Sequence, residues 1–311
     1  MSALRTAAED YLQMRRALGY KLRTPGWLLS GFVSYLEQID ASTVTIEHAL
    51  AWATQPVDAD PGWWSYRLSV VRQFALHLQT LDPACEVPPA RLLPRRSRRA
   101  VPYLYSPEDI AALMHAAGER CRRRTPLAAA TYQTLLGLLA VTGLRIGEAI
   151  RLDRGDVDAE HQLVRIIKTK FGKSREIVLH QSAMRALSEY ARLRDQLCPR
   201  PCCDAFFVSS VGTRLRPGTV HRTFKRLVRA VGLQPRSGRC HPRLHDLRHS
   251  FAVNTLLDMY RAGVDVQARL PRLSTYLGHT DPSSTYWYLS AAPELLFLAA
   301  QRLEPTLKGL S

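Results

Sequence analysis

The segment 88–103, PPARLLPRRSRRAVPY, constrains the fold of this chain more than any other stretch. Pro88, Pro89, Pro94 and Pro102 each lack an amide donor and fix φ, so neither a helix nor a central strand runs through it. Arg91, Arg95, Arg96, Arg98 and Arg99 repel one another, which favours an extended connector. The chain is therefore expected to fold as two bodies, a reading that suits 311 residues, since single cores stop growing at about 250–300. Charge divides at the same place. Residues 1–90 carry 7 basic and 9 acidic side chains, net −2, and the rest of the chain carries net +18. A positive field confined to one part of a chain points to a polyanionic partner, nucleic acid being the commonest; a solvated basic surface is the plainer alternative. Five arginines exceed what a mere spacer needs, so Arg95, Arg96, Arg98 and Arg99 are candidate phosphate contacts.

The part before the connector, 1–87, reads as helical. Leu4, Ala8, Tyr11, Leu12, Met14 and Leu18 recur at helical spacing with Gly19 as a stop, and further helices are expected over Gly26–Ile39, Thr45–Thr54 and Trp64–Leu81. Trp63, Trp64, Tyr66 and Phe74 are expected in its core rather than on a base-stacking surface. Hydrophobic residues make up 46% of the chain, enough to exclude wholesale disorder. No apolar run reaches the roughly 20 residues of a membrane span, and the start MSALRTAAEDYLQMRR lacks a secretory h-region, so a cytoplasmic protein with no membrane partner is expected. Reduced thiols are expected for the six cysteines. Cys198, Cys202 and Cys203 with Cys240 or His241 could reach a zinc ion, but they lack paired CxxC knuckles, and no metal is expected.

The part from residue 104 onward holds the chemistry. Ser106-Pro107-Glu108-Asp109 opens a helix, and an apolar helix over Leu127–Val141 ends at Thr142-Gly143. In TGLRIGE, Arg145 stands three positions before Glu148; it can aim at a phosphate or form a surface pair. Leu163–Lys170 and Arg175–Leu179 flank a glycine-containing tip and read as a β-hairpin carrying Lys170 and Lys173, either groove-entering or solvated. In HPRLHDLRH, His245, Arg248 and His249 fall on one helical face. The comparison with HExxH zinc sites fails, because Asp246 replaces the glutamate and a cationic arginine stands where metal would bind; this face suits an anion. In LGHTDPSSTYWYL, His279 sits in a turn and Tyr286 and Tyr288 follow on a helix about 200° apart, as nucleophile candidates or packing aromatics.

Taken together, TGLRIGE, a lysine on a hairpin tip, HDLRH, LGH and a tyrosine nine residues after that histidine resemble the tyrosine recombinase (phage integrase) family, in order and spacing, over roughly residues 104–292. The resemblance implies a mainly α fold with a small antiparallel sheet in a catalytic domain at 104–311, a helical core-binding domain at 1–87 and the connector at 88–103, closing as a C-shaped DNA clamp. It implies Tyr288 as the nucleophile, with Tyr286 as rival, forming a 3′-phosphotyrosyl link. Arg145 and Arg248 would bracket the phosphate oxygens, Lys170 would protonate the departing 5′ oxygen with Lys173 as fallback, and His245 would be the acid–base partner of the tyrosine. His279 would donate to the phosphate, with Glu148 and His249 in support. No cofactor, metal or ATP is implied. The implied partners are a double-stranded recombination site and further copies of the chain, dimer on a site and tetramer in the synapse, joined by the C-terminal helix over Pro293–Leu303. A type IB topoisomerase and a non-catalytic DNA-binding protein of the same fold are the alternatives.

Overall fold

The computed structural model describes residues 2–94, 101–122, 125–167, 174–279, 281, 285, 286, 288, 294, 295 and 297. Arg95, Arg96, Arg98, Arg99, Lys170 and Lys173 lie outside the described residues, as does most of 293–303. Two compact units divide the chain, Met1–Arg99 and Ala100–Ser311.

The first unit is helical: α1 (Ala3–Ala17), α2 (Arg23–Gln38), α3 (Ile46–Thr54) and α4 (Pro61–Leu78). Side chains cap three of these helices, each cap contributing about 1 kcal/mol. Ser2 accepts from the Arg5 amide, Thr45 from His48 and Asp60 from Gly62. Asp60 followed by Pro61 explains why α4 begins three residues before the expected Trp64, since proline suits the first helical position. Leu28, Phe32, Leu36, Ala49, Val71 and Phe74 form the centre. Of the aromatic residues of α4, Phe74 meets the expectation of a core position and Tyr66 departs from it. Phe74 is buried, Trp63 and Trp64 are half-buried, and Tyr66 is exposed, because Arg67, Leu68, Val71, Phe74, Ala75 and Leu78 occupy the inward stripe. Arg67 enters that interior by laying its guanidinium 3.8 Å from the Trp52 ring centroid.

The second unit is built around α6 (Pro126–Thr142), which buries residues around nearly its whole circumference, among them Leu127, Thr131, Tyr132, Leu135, Leu138 and Leu139. It packs on α5 (Pro107–Arg122), α8 (Gln181–Leu197) and α10 (Asp246–Arg261). Short α7 (Ile146–Ala149) follows α6 directly. The strands β1 (Val157–Asp158), β2 (Leu163–Ile166) and β3 (Arg175–Val178) form one antiparallel sheet in that order. Val164 pairs with Ile177, which turns both toward the core, and Ile166 pairs with Arg175. That register puts Arg175 opposite the last residue of β2. Helices α9 (Pro217–Val231) and α11 (Val266–Leu277) complete the unit. The fold is thus mainly α with a small antiparallel sheet. A smaller apolar cluster joins α10 and α11 through Val253, Leu256, Leu270, Leu273 and Leu277, and it takes in Tyr288 and Leu295. Among the described residues, no helix is long and apolar enough to cross a membrane.

Candidate active site

Three helix ends converge on one arginine. Helix α6 stops at Gly143 and α11 at Gly278, both with positive φ (60° and 66°), the left-handed conformation that frees terminal carbonyls to turn aside. Arg248, in the first turns of α10 and 2% exposed, donates from Nη1 to the Gly143 carbonyl at 2.8 Å and from Nη2 to the Leu277 carbonyl at 2.6 Å. Three sequence motifs far apart in the chain are thereby joined. Burial pushes the Arg248 guanidinium down to about 10, reinforced by the neighbouring Arg145 charge, so it stays cationic at neutral pH. Two of its five N–H groups serve the carbonyls, which fixes the plane of the others.

Arg145 caps α7. Glu148 reaches back from the third position to accept from the Arg145 amide at 3.1 Å and from its Nη1 at 2.9 Å. Arg145 Nη2 donates to the Gly278 carbonyl at 3.1 Å. Glu148 is therefore neither on the surface nor paired with Arg145 alone. It is 3% exposed, and Arg175 donates to it from Nη2 at 2.9 Å and from Nη1 at 3.4 Å. Burial on its own would raise the Glu148 carboxyl, but the Arg175 hydrogen bond and charge, with those of Arg145, hold it below its ordinary value. Arg175 also donates from Nε to the Tyr276 carbonyl at 2.8 Å. Sequence reasoning missed Arg175, because an arginine opening a strand carries no distinguishing pattern. A Cβ at Gly278 would stand 2.8 Å from Arg175 Nη1, so a larger residue there would push that guanidinium aside.

His245 does not lie within the helix but at the cap of α10, exposed, with its ring edge-on to that of His249 at 4.8 Å between centroids. His249 places its Nδ1 3.2 Å from the Tyr288 hydroxyl. Asp246, fully buried, is gripped by Arg243 through Nη2 at 2.8 Å and Nε at 3.1 Å. Its Oδ1 stands 3.9 Å from His249 Nε2. Burial raises the Asp246 carboxyl despite the opposing pull of Arg243. His279 places Nδ1 2.7 Å from Thr285 Oγ1, and its ring stacks near Tyr288 at 6.1 Å between centroids. Tyr288 is 2% exposed and Tyr286 52%, so the two tyrosines face different surroundings as their spacing requires. The structure thus brings together Arg145, Glu148, Arg248, His249, His279 and Tyr288, with His245 at their edge.

A second feature escaped sequence reasoning. Helix α9 buries Val220, Thr223, Phe224, Leu227 and Val228, and exposes His221, Arg222, Lys225, Arg226 and Arg229, with no carboxylate anywhere in its length. Its helical period separates a purely basic face from a core face, and tallying charge by the period would have found it. Among the described residues no cluster of three or more His, Cys, Asp or Glu side chains could hold a metal ion. Cys198, Cys202 and Cys203 are free thiols, the last two with Sγ against the carbonyls of Val211 and Gly212.

Comparison with known proteins places this arrangement. A protein of Sinorhizobium fredii named as an integrase/recombinase is 46% identical over 307 residues, covering 98% of each chain. The crystal structure of XerH site-specific recombinase bound to palindromic difH substrate matches with a TM-score of 0.65 at 17% identity, covering 91% of this chain and 80% of that one. That of a lambda integrase tetramer bound to a Holliday junction matches with a TM-score of 0.62 at 19% identity, covering 92% of this chain and 76% of that one. These two likenesses speak for the fold. The family model for the phage integrase family matches residues 105–294, a span that contains every one of the converging side chains, and the chain belongs to that family.

Proposed function

We propose that the protein is a site-specific DNA recombinase that cuts and rejoins strands through a 3′-phosphotyrosyl intermediate at Tyr288. The observation that carries this reading is the pair of hydrogen bonds that Arg248 donates to the carbonyls of Gly143 and Leu277, which ties the segments of Arg145, His279 and Tyr288 into one cationic pocket. A scissile phosphate seated between Arg145 and Arg248 would meet cations fixed before charge builds on its oxygens. The Tyr288 oxygen bonds to phosphorus, the bond to the 5′ oxygen breaks, and Lys170 supplies that oxygen with a proton. The phosphotyrosine keeps the bond energy for rejoining, so the reaction runs without metal or ATP. His245 at the exposed cap, with His279, completes the donors around the phosphate. The basic face of α9 tracks duplex phosphates, aided by Arg95, Arg96, Arg98, Arg99 and Lys173. The unit 1–87 serves as a helical core-binding domain that contacts the same DNA, joined to the catalytic domain 104–311 through 88–103. Two copies bind a site and four form the synapse in the cytoplasm, exchanging the C-terminal segment 293–303.

Trapping the intermediate tests this. Wild type, Tyr288→Phe and Tyr286→Phe are incubated with nicked duplexes from the DNA flanking the protein's own gene. An SDS-stable protein–DNA adduct lost in Tyr288→Phe alone is the expected result. Loss in Tyr286→Phe alone would move the nucleophile by two positions. Tight binding with no adduct from wild type would reduce the protein to a DNA-binding module, and relaxation of supercoils without sequence preference would make it a topoisomerase.

A further inference from the structure

The start of α10 is held from behind by a segment that carries no motif. Residues 102–105, the end of the connector and the two that follow it, run along the stretch 236–250, and each of the four engages it. The Pro102 carbonyl accepts from the Cys240 thiol at 3.5 Å. The Tyr103 amide faces the Asp246 carboxylate and helps to hold its charge. The Leu104 carbonyl accepts from Arg236 Nη2 at 2.9 Å, and the same guanidinium lies 4.4 Å from the Tyr103 ring centroid. Tyr105 bonds twice: its amide donates to Ser250 Oγ at 2.8 Å and its hydroxyl to the Arg243 carbonyl at 3.1 Å.

We propose that Tyr105 is a positioning residue for strand cleavage, one that fixes the turn 243–248 from which Arg248 reaches the phosphate. The inference rests on the reading of the protein as a recombinase with Tyr288 as its nucleophile.

The two bonds of Tyr105 bracket that turn. At its start, the Arg243 carbonyl also accepts from the Asp246 amide at 2.9 Å. Beyond its end, the Ser250 hydroxyl donates to the Asp246 carbonyl at 3.0 Å. His245, Asp246 and Arg248 stand between these two anchors. The first turn of a helix frays readily, because its leading amides have no partner within the helix. Here it is pinned from two sides, by the bonds of Arg248 to the Gly143 and Leu277 carbonyls and by Tyr105. Tyr105 is itself well fixed. It is 2% exposed, with the Tyr103 ring 4.9 Å away and the Phe224 ring of α9 edge-on at 6.3 Å between centroids. Burial and the nearby Asp246 charge push its phenol up, so the hydroxyl keeps its proton and remains a donor. The contribution is geometric, and a misplacement of 1 Å at a phosphate-binding group can cost about a hundredfold in rate.

The test is single-turnover adduct formation on nicked site DNA at saturating concentration, with DNA affinity and melting temperature measured alongside. Tyr105→Phe keeps the ring and removes the hydroxyl. Ser250→Ala removes the acceptor of the Tyr105 amide, leaves the aromatic cluster intact and decides the question should Tyr105→Phe unfold. Each is expected to slow the adduct by about tenfold, with affinity within about twofold of wild type. In an Arg248→Lys background the same substitutions should cost less than about twofold, because a residue that acts through Arg248 then has nothing to position. A residue that serves stability alone would lower the melting temperature and leave the saturated rate unchanged. That result overturns the proposal, as does a penalty of full size in Arg248→Lys. Tyr288→Phe separates the two levels. If the wild-type adduct persists in Tyr288→Phe, the nucleophile reading fails; if it depends on Tyr288 and ignores Tyr105 and Ser250, this inference alone fails.

Discussion

Replacing Glu148 by glutamine tests the packing that positions Arg145. The carboxylate accepts from Arg145 Nη1 and from Arg175 Nη2, each at 2.9 Å, and from the Arg145 amide at 3.1 Å. Glutamine keeps one oxygen, turns an NH2 toward a guanidinium and removes the negative charge between two cations. Losing one partner of a buried ion pair costs about 3–5 kcal/mol. Here the Arg145 side chain is 32% exposed and that of Arg175 14%, so water recovers part of the loss, leaving about 2–3 kcal/mol. For a unit of this size that is a fall of roughly 5–10 °C in melting temperature. The effect belongs to the second unit. Four of the five tryptophans, Trp27, Trp52, Trp63 and Trp64, lie in the first unit and Trp287 in the second, so intrinsic fluorescence weights the first while far-UV circular dichroism follows both. The dichroism transition should therefore move more than the fluorescence transition. The dependence on pH has a definite sign. Glu148 is held below its ordinary value in the folded state, so its contribution is complete above the unfolded value of about 4.3–4.5 and is lost as pH falls through the folded one. The gap between wild type and variant is therefore flat from about pH 5 to 8 and narrows below about 4.5. A dichroism melt within about 1 °C of wild type at pH 7, or a gap that widens on acidification, would refute the reasoning.

The remaining expectations concern the same site and its surroundings. Arg248→Lys cannot span the carbonyls of Gly143 and Leu277, so adduct formation should fall by about a hundredfold to a thousandfold in single-turnover assays. Gly143→Ala should destabilise more than Gly278→Ala in urea melts. Both have positive φ, but the new Cβ at 143 meets the ring of Phe251 at 2.5 Å, whereas that at 278 meets the far end of the longer Arg175 side chain at 2.8 Å. Lys225→Ala on the basic face of α9 should weaken binding equally on specific and random duplexes and reduce the salt slope of log K by about 1; a loss confined to one sequence would instead assign it to base readout.

What could be read from the sequence was what local spacing encodes. Gly143 and Gly278 announced helix ends, and Arg145, Arg248, His279 and Tyr288 declared themselves because each stands in a short, regular pattern. The two β-rich runs that became β2 and β3 were equally plain. What could not be read depends on three-dimensional closure. Arg175 matters because the sheet register brings it to Glu148, a meeting across 27 positions that no periodicity records. The exact start of α10 was equally hidden: His245 stands at its cap, whereas Arg248 and His249 lie within its first turns. The exposure of Tyr66 followed likewise from which stripe of α4 turned inward.

The partners of Arg248 are main-chain carbonyls, and this bears on how such an enzyme can diversify. An acceptor that belongs to the backbone survives any exchange of the side chain that carries it. Leu144 and Leu277, both buried, could trade among apolar residues of similar volume without deleting an acceptor. Selection at 143 and 278 acts on backbone shape instead, through the left-handed turns that only glycine enters at little cost. A library built to retarget the protein can therefore randomise the apolar lining behind the pocket, provided the two glycine hinges are held fixed.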